Sequence, residues 1–385
     1  MINSNLPPPD QNMESRMASL SALIKQKILD QGGWITFAEF MELALYSPSL
    51  GYYTGGVAKF GREGDFVTAP IISKLFGTTL AHQIAQILDY TPERQILELG
   101  AGDGSAAADI MLTLEKLGAL PSSYGILDVS PSTYAMQKEI FSKKIPHLLH
   151  IFDWLSDIPE KLNGVVFANE VFDSLPVNLI ELTESGVWEK GVAIQDNGFS
   201  WSNRIASQKI LTALNDLELP VPYATEISLV GQALMNRLAK SLEKGVIIII
   251  DYGFREEEYY HPQRVSGTLM CHYKHRAHQN PFTMIGHQDI TTHVDFSRLA
   301  NVAKNSNLEV VGFCSQAQFL INCGITNLLQ KPDASEVQSS LEVSTEINKL
   351  LSPAEMGELF KVLAIGRQID FPIMGFSKRN RRELL

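Results

Sequence analysis

The chain has 385 residues, of which 45% are hydrophobic and 19% charged, and its formal net charge is −11. This composition is typical of one large or two ordinary globular domains, and the acidity argues against a broad nucleic-acid surface. Three cysteines are too few for a disulfide framework, so we expect a reducing compartment. The N-terminus lacks the pattern of a signal or transit peptide, and the longest apolar run, 246–250, is too short for a bilayer. We therefore predict a cytoplasmic protein that does not insert into membranes.

The N-terminal part of the chain predicts a tail, two helices and a glycine-rich loop. Residues 1–14 are Pro-rich and polar without periodicity, which predicts a disordered tail. Apolar residues at helical spacing predict a helix over 15–30, and Thr36 is placed to cap a second helix over 37–45. The glycine-dense aromatic loop over 51–66 is too long for a simple connection, and such loops often line functional sites.

From residue 71 the pattern alternates between helix and strand, which predicts βαβ units and a parallel sheet. The expected helices cover 71–88, 105–117, 131–141, 226–242, 296–305 and 354–359, and the expected strands cover 95–99, 124–129, 147–152, 164–168, 245–251, 309–313 and 360–365. Short strand-like runs with turn residues between them predict an antiparallel insertion. The domain plan is a disordered tail at 1–14, N-terminal helices and a glycine-rich loop at 15–90, a core at 91–177, 225–252 and 297–370, an antiparallel insertion at 178–224, a substrate-side insertion at 253–296 and a C-terminal tail at 371–385.

The strongest local signal is the sequence Glu-Leu-Gly-Ala-Gly-Asp-Gly at 98–104, which completes an apolar strand and opens a helix. Glycines let the backbone adopt positive φ angles and approach a bound cofactor closely. The N–H groups at the start of the following helix favour an anionic group of the ligand. The candidate cofactor-binding residues of this turn are Gly100, Ala101, Gly102 and Gly104.

Two cofactor classes compete for such a turn, a dinucleotide and S-adenosylmethionine (SAM). The dinucleotide pattern Gly-x-Gly-x-x-Gly is not matched, because the third glycine comes one residue early and Ser105 occupies the later position. SAM has no pyrophosphate, and its ammonium and carboxylate suit a turn flanked by Glu98 and Asp103. Asp128, at the end of the second strand, could accept both ribose hydroxyls, and Asp153, after the third, could meet the adenine amine. These acids favour SAM over NAD.

The fourth strand leads into Asn169 and Glu170, with Asp173 following, next to the first strand in the usual methyltransferase order. Methyl transfer requires a positioned nucleophile whose proton is withdrawn. Asn169 could present a carbonyl acceptor, while the carboxylates of Glu170 and Asp173 could bind a guanidinium and align one nitrogen. These three residues are the candidate catalytic residues. A helix N-cap with an acidic first turn is the alternative interpretation.

The segment 272–278 contains three histidines at intervals of three residues. Basic residues interrupt it and no nearby carboxylate completes a ligand set, so we predict no metal site and expect a polar loop that contacts substrate. The same substrate-contacting region could include Asp289, His293 and Asp295. A histidine there could accept a proton.

Several segments resemble the MidA-type methyltransferases, the family of the mitochondrial complex I assembly factor 7. Their order over about residues 20–370 is more specific than any single motif. The segments are Gly51–Tyr53, Gly64–Pro70, Ser73–Gly77, Glu98–Gly104, Asn169–Pro176, Asp251–Gly253, Gly267–Leu269, Asp289–Phe296 and Phe360–Ala364. One departure is Asp128, where the family usually has glutamate, so the side chain here is one methylene shorter.

The resemblance implies a SAM-dependent protein arginine methyltransferase with a Rossmann-like class I α/β sheet. Helices on both faces, an N-terminal helical segment and an inserted antiparallel and loop region for substrate complete the expected fold. The resemblance also implies that Gly64, Asp65 and Thr68 close over SAM. It implies a protein substrate with an accessible arginine, in the mitochondrial members a complex I subunit. No nucleic-acid partner is expected, and a homo-oligomer is left open. Two alternatives remain: a SAM-binding assembly or scaffold protein with little catalysis, and a small-molecule methyltransferase.

Overall fold

The structure, a computed structural model, describes residues 6–55, 69, 73–329 and 337–385. The chain divides into two compact units. The parallel-sheet unit comprises Val67–Phe172, Leu234–Arg255 and Val294–Leu385. The antiparallel unit comprises Met1–Phe66, Asp173–Ala233 and Glu256–His293, so the N-terminal helices and both insertions belong to one unit.

The helices begin where side chains satisfy the first backbone N–H groups. The Asp10 carboxylate accepts from the N–H of Met13, and Thr36 and Glu39 form a capping box. The α-helices of the described residues are α1 (Gln11–Asp30), α2 (Phe37–Tyr46), α3 (Lys74–Leu88), α4 (Ser105–Lys116), α5 (Pro131–Lys144), α6 (Gln208–Leu214), α7 (Leu229–Ser241), α8 (Glu256–Tyr259), α9 (Phe296–Asn305), α10 (Gln316–Asn322), α11 (Val337–Leu351) and α12 (Met356–Leu359). None of these helices is both long enough and apolar enough to cross a membrane.

The strands fall into three sheets. In chain order the described strands are β1 (Ile35–Thr36), β2 (Gln95–Leu99), β3 (Ser123–Leu127), β4 (Phe152–Leu155), β5 (Leu162–Asn169), β6 (Asn178–Thr183), β7 (Gly186–Gln195), β8 (Gly198–Ile205), β9 (Tyr223–Ile227), β10 (Leu242–Phe254), β11 (Met270–Tyr273), β12 (Arg276–His278), β13 (Asp289–Thr291), β14 (Val294–Asp295), β15 (Glu309–Ser315) and β16 (Phe360–Arg367).

The parallel-sheet unit is built on an eight-stranded sheet in the order β15-β16-β10-β5-β2-β3-β4, with β14 paired to β10. The strands from β10 to β4 run parallel, whereas β16 runs antiparallel to both β10 and β15. The run 246–250 is fully buried, as expected for a central strand covered on both faces. The carboxyl ends of β2, β3 and β5 meet at one edge, the edge at which open α/β sheets bind ligands. The predicted α/β fold class is confirmed.

The core of this unit packs helices α3, α4, α5, α10 and α11 against one face of the sheet. Side chains at alternate strand positions, such as Ile96, Tyr124 and Phe167, point to that face and are buried. Phe76 of α3 and Phe141 of α5 belong to the same cluster. The helices that follow β2 and β3 are thereby fixed against the sheet, which in turn fixes the turns at their N-terminal ends.

The antiparallel unit has a core of its own. A five-stranded sheet has the order β1-β7-β6-β9 with β8 paired to β7, and a small sheet has the order β12-β11-β13. Leu20 and Ile24 of α1, Phe40 of α2 and Val192 of β7 are fully buried in one cluster. The predicted antiparallel insertion is therefore present, and α1 and α2 supply part of its core.

Both predicted tails are partly wrong. Helix α1 begins at Gln11 within the expected disordered segment 1–14, because Asp10 caps it. The expected tail 371–385 is folded onto the sheet unit: Phe376 is buried, and the N–H of Arg381 donates to the carbonyl of Phe313 at 2.7 Å. The basic C-terminal residues therefore follow an anchored segment.

Two predicted elements differ in type. The expected strand 147–152 is a 3-10 helix, Pro146–Ile151, followed by β4, and the proline favours that helical start. The expected helix 226–242 begins only at Leu229, because β9 occupies Tyr223–Ile227 and pairs with β6. Helices α6, α8, α10 and α11 were not predicted.

Candidate cofactor and catalytic site

The glycine-rich turn after β2 has the backbone that its sequence predicts. Gly100, Gly102 and Gly104 have φ angles of 62°, 55° and 88°, in the left-handed region. Gly104 is the N-cap of α4, and a Cβ there would lie 2.8 Å from the Phe141 Cε1 atom. A Cβ on Gly100 would lie 3.0 Å from Val171 Cγ2. Both conformation and space therefore require glycine at Gly104, and Ala101 lies between these glycines, buried.

Glu98 lies inside β2, not in the turn. Its side chain is buried, and its Oε2 accepts a hydrogen bond from the Tyr124 hydroxyl at 2.8 Å. Burial, together with smaller contributions from the nearby Asp128 and Asp103 carboxylates, raises the pKa of Glu98 from 4.5 to about 7, although the hydrogen bond from Tyr124 acts to lower it. The Glu98 carboxyl is consequently a group that a bound cation would ionise.

Asp128 follows β3, as predicted, and its carboxylate is held from two sides. Oδ1 accepts from the N–H of Ser130 and Oδ2 accepts from the Gln137 amide, both at 3.2 Å. Burial raises the pKa of Asp128, and these hydrogen bonds oppose that change. Asp128 stands beside the glycine-rich turn, because the N–H of Gly100 donates to the carbonyl of Leu127 at 2.9 Å.

Asp153 does not follow its strand, so this part of the prediction is wrong. It is the second residue of β4 and lies opposite Gly125, whereas the strand continues to Leu155, opposite Leu127. Because the 3-10 helix delays the start of β4, the residues that follow the strand are Ser156 and Asp157. Asp153 is exposed and is not brought level with Asp128. A role for Asp153 at the adenine amine lacks geometric support.

Asn169 and Glu170 lie at the end of β5, next to the glycine-rich turn. Ala168 pairs with Leu99, which places Asn169 level with Gly100. The Asn169 Nδ2 donates to Glu170 Oε1 at 3.0 Å, while its Oδ1 is buried and accepts no hydrogen bond from any described residue. Glu170 has φ 54°, a left-handed conformation that is costly for a residue with a side chain.

Asp251 supports this loop and was not singled out as a site residue by the sequence interpretation. It is fully buried, and its Oδ2 accepts from the N–H of Phe172 at 3.0 Å. The N–H of Glu170 also donates to the carbonyl of Ile250 at 2.9 Å. Two hydrogen bonds from the end of β10 thus hold the backbone of the loop after β5.

A second group of polar side chains, the tyrosine cluster, belongs to the antiparallel unit and comprises Tyr46, Tyr53, Ser174 and Asp289. The Tyr53 hydroxyl donates to both Asp289 oxygens, at 3.0 and 2.9 Å, and the Tyr46 hydroxyl donates to the Ser174 carbonyl at 3.0 Å. The two tyrosine rings stack with centroids 5.4 Å apart. Burial and the Asp289 charge raise the pKa of Tyr53 well above its ordinary value.

Asp173 begins the part of the antiparallel unit that follows β5. It is buried, and its carbonyl accepts from the N–H of Thr292 at 2.9 Å, which ties it to the segment after β13. Its carboxylate is close enough to contribute to the raised pKa of Tyr53. The structure therefore brings Asp173 together with the tyrosine cluster.

The histidine-rich segment 272–278 forms a hairpin. Lys274 and His275, with φ angles of 46° and 60°, make a two-residue turn between β11 and β12. Among the described residues no group of three or more His, Cys, Asp or Glu could hold a metal ion. Gly64, Asp65 and Thr68, expected to close over the cofactor, lie outside the described residues.

Comparison with known proteins gives concordant matches. A family model for S-adenosyl-L-methionine-dependent methyltransferases matches residues 79–314. The chain is 29% identical to the protein arginine methyltransferase NDUFAF7 homolog, mitochondrial, of Drosophila melanogaster, with 96% of this chain and 91% of that protein covered. For the Mus musculus NDUFAF7 protein the identity is 28%, with 86% and 81% covered. A crystal structure of a COG1565 superfamily member from Burkholderia thailandensis, bound to S-adenosyl-homocysteine, is 41% identical, with a TM-score of 0.95 and coverage of 99% of this chain and 100% of that one.

Proposed function

Because the chain belongs to the family of SAM-dependent methyltransferases, we propose that it transfers a methyl group from SAM to the guanidinium of a protein arginine. Relatives that are 27–29% identical carry the name protein arginine methyltransferase. The strained Glu170 at the end of β5, hydrogen-bonded to Asn169, is the observation that carries the proposal. Such strain persists where the surrounding structure enforces it, and it is concentrated at functional sites.

The residues of the parallel-sheet unit fit SAM. The turn of Gly100, Ala101, Gly102 and Gly104 offers backbone N–H groups and close approach for the methionine carboxylate. Glu98 would face the cationic part of the ligand, and Asp128 would accept the ribose hydroxyls. The buried Asn169 Oδ1, which no described residue donates to, offers an acceptor beside the turn. When bound, SAM supplies a methyl group carried on a positively charged sulfur.

The chain's own groups would bind and orient the acceptor. The Glu170 carboxylate would hold the guanidinium and direct one of its nitrogens. Glu170 Oε1, held by the Asn169 amide, would accept the proton that the nitrogen loses on methylation. Asn169 would therefore have two roles. Its amide nitrogen holds Glu170, and its carbonyl oxygen would accept a hydrogen bond near the nitrogen that receives the methyl group.

The substrate in this proposal is an accessible arginine of a folded or partly folded protein. A subunit of a respiratory complex I-type enzyme is the specific candidate, because the chain resembles the family of the complex I assembly factor. The location of the protein and a homo-oligomeric state stay predictions. The curated relatives carry the word mitochondrial in their names.

A labelling experiment tests the proposal. Cell lysate from a strain without the protein is incubated with methyl-labelled SAM and the purified chain, and peptides are analysed for methylated arginine. We expect new methylarginine with the wild type. Glu170→Gln should lower its formation about 100-fold or more while SAM still binds, because general-base catalysis contributes on that order. Glu160→Gln, an exposed glutamate of the same unit, should retain activity.

The two alternatives give other results. Calorimetry without heat at millimolar SAM would remove the enzyme and leave an assembly or scaffold protein that binds SAM weakly or not at all. Label confined to small molecules would support a small-molecule methyltransferase. Equal loss of SAM binding and turnover in Glu170→Gln would deny that residue a catalytic role.

A further inference from the structure

A buried glutamine connects two loops of the cofactor edge with strand β4. Gln137, on α5, is fully buried, and its Nε2 donates to the carbonyl of Gly102 at 2.9 Å and to Asp128 Oδ2 at 3.2 Å. Its Oε1 accepts from the indole Nε1 of Trp154 at 2.8 Å. One carboxamide thus joins the turn after β2, the acid after β3 and strand β4.

Each hydrogen bond fixes a group that faces the cofactor edge. Because a trans peptide points its carbonyl and N–H in opposite directions, holding the Gly102 carbonyl towards α5 aims the next N–H away from α5. The Asp128 carboxylate is held in place by the N–H of Ser130 and the Gln137 amide, with Thr133 and the backbone of Val129 also acting on it. Among these partners, Gln137 also holds the glycine-rich turn, through the Gly102 carbonyl.

The neighbours of Gln137 leave it little freedom. Its Cγ would lie 3.2 Å from a Cβ on Gly104, so the helix approaches the turn closely. Trp154 packs edge-to-face on Tyr134, with ring centroids 4.8 Å apart, and the Lys138 ammonium lies over both rings. The packing on Tyr134 and Lys138 fixes the Trp154 indole, which donates to the Gln137 amide oxygen. With its oxygen fixed, the Gln137 amide nitrogen points at its two acceptors, the Gly102 carbonyl and the Asp128 carboxylate.

We propose that Gln137 is a positioning residue of the cofactor site: it orients the Asp128 carboxylate for the ribose hydroxyls of an adenosyl ligand and, by holding the Gly102 carbonyl towards α5, turns the N–H of the following residue away from α5. Gln137 acts through these two groups and does not itself contact the ligand. The inference rests on the proposed role of Asp128 at the ribose. It assigns to the glutamine of α5 the discrimination between ribose and deoxyribose ligands.

Calorimetry with S-adenosylhomocysteine and its 2′-deoxy analogue tests this. Gln137→Met keeps the size of the side chain and removes its hydrogen bonds. We expect about 10- to 100-fold weaker binding of S-adenosylhomocysteine, because two or three hydrogen bonds lose their partner. The preference for the ribose ligand, about tenfold in the wild type, should fall to about twofold, since a misaligned Asp128 no longer reads the hydroxyl.

A matched control separates positioning from stability. Gln83, on α3 of the same unit, is also fully buried, and its amide oxygen accepts from the N–H of Gly375 at 2.7 Å. Gln83→Met should lower the Tm as Gln137→Met does and leave ligand affinity and ribose preference unchanged. If Gln83→Met weakens binding equally, Gln137 has only a structural role and the inference fails.

Asp128→Asn distinguishes failure of the inference from failure of the proposed function. If Asp128→Asn weakens binding and Gln137→Met does not, Gln137 has no positioning role, while the cofactor site stands. If Asp128→Asn leaves binding unchanged, the proposed ribose contact is wrong and the inference falls with it. In the Asp128→Asn background, the effect of Gln137→Met on ribose preference should disappear, because its target is absent.

Discussion

The glycine-rich turn of the parallel-sheet unit and the tyrosine cluster of the antiparallel unit contain polar groups assembled in opposite ways. The turn is one continuous segment, 100–104, whose φ angles follow from its glycines. The tyrosine cluster joins residues up to 236 positions apart, as Tyr53 and Asp289 are. A candidate cofactor turn made of neighbouring residues can therefore be recognised in the sequence. A cluster made of residues far apart in the chain can be recognised only in the folded structure.

The two regions also hold charge differently. Glu98, beside the turn, has a pKa raised to about 7 by burial and neighbouring acids, so it is poised to meet a cation. Asp289, in the tyrosine cluster, accepts a bifurcated hydrogen bond from the Tyr53 hydroxyl on its two oxygens. The Glu98 carboxyl is suited to a ligand that binds and leaves. The contact between Tyr53 and Asp289 is instead a permanent part of the folded structure.

The largest expected effect is at Gly104. Gly104→Ala adds a Cβ 2.8 Å from a rigid ring at φ 88°, so the turn must shift and S-adenosylhomocysteine should bind about 100-fold more weakly. Gly118→Ala is the matched control, because Gly118 has φ 65° and open space around it. The control should cost about 1 kcal/mol of unfolding free energy and leave affinity unchanged. Equal affinity losses in calorimetry would mean that the turn is not the binding element.

The next effect is at Glu226, in the antiparallel unit. Its buried carboxylate accepts from the N–H groups of Thr268 and Leu269 at 2.7 and 3.0 Å. Glu226→Ala would leave these donors without their acceptor and should lower the unfolding free energy in urea by about 3 kcal/mol. The exposed Glu184→Gln should change it little. Cofactor affinity should be unchanged in Glu226→Ala, because the proposed cofactor residues belong to the parallel-sheet unit. A loss of binding free energy larger than the loss of unfolding free energy would contradict this.

The smallest effect is a pH dependence of cofactor binding at Glu98. A bound ammonium favours ionised Glu98, whose pKa of about 7 leaves it mostly protonated at acidic pH. Affinity should therefore rise about tenfold between about pH 6 and pH 8 in the wild type and stay flat in Glu98→Gln. In the free protein the sign is opposite: the raised pKa means that unfolding free energy falls as pH rises from 4.5 through 7. A pH profile that is unchanged in Glu98→Gln would exclude Glu98 as the linked group.

The parallel sheet and the glycine-rich turn could be predicted because each depends on residues close in sequence. Strand β2 was placed at its observed bounds, and Asp128 follows β3 as expected. The Asp153 prediction failed because the start of β4 depends on a proline-initiated 3-10 helix, which an apolar pattern does not distinguish from a strand. The strand was expected to end at residue 152, and β4 ends at Leu155. This shift changes which side chains follow the strand.

The supporting residues could not be predicted, because their role comes from tertiary contacts. Gln137 is a polar residue of α5, a type that is usually exposed. It is nevertheless fully buried, where it contacts two loops and strand β4. Asp251 follows an apolar run, and its contact with the N–H of Phe172 crosses 79 positions. Burial of polar side chains is set by which helices pack together, and a single sequence does not contain that information directly.

Calorimetric titration of the wild-type chain with S-adenosylhomocysteine shows whether the chain seats an adenosyl ligand. We expect one site per chain with a Kd of about 1–100 μM, in the ordinary range for enzyme ligands. The Asp128→Asn variant should weaken it. Absence of binding heat at about 1 mM ligand, in a chain shown to be folded by its Tm, would contradict the claim that the turn after β2 seats the adenosyl cofactor.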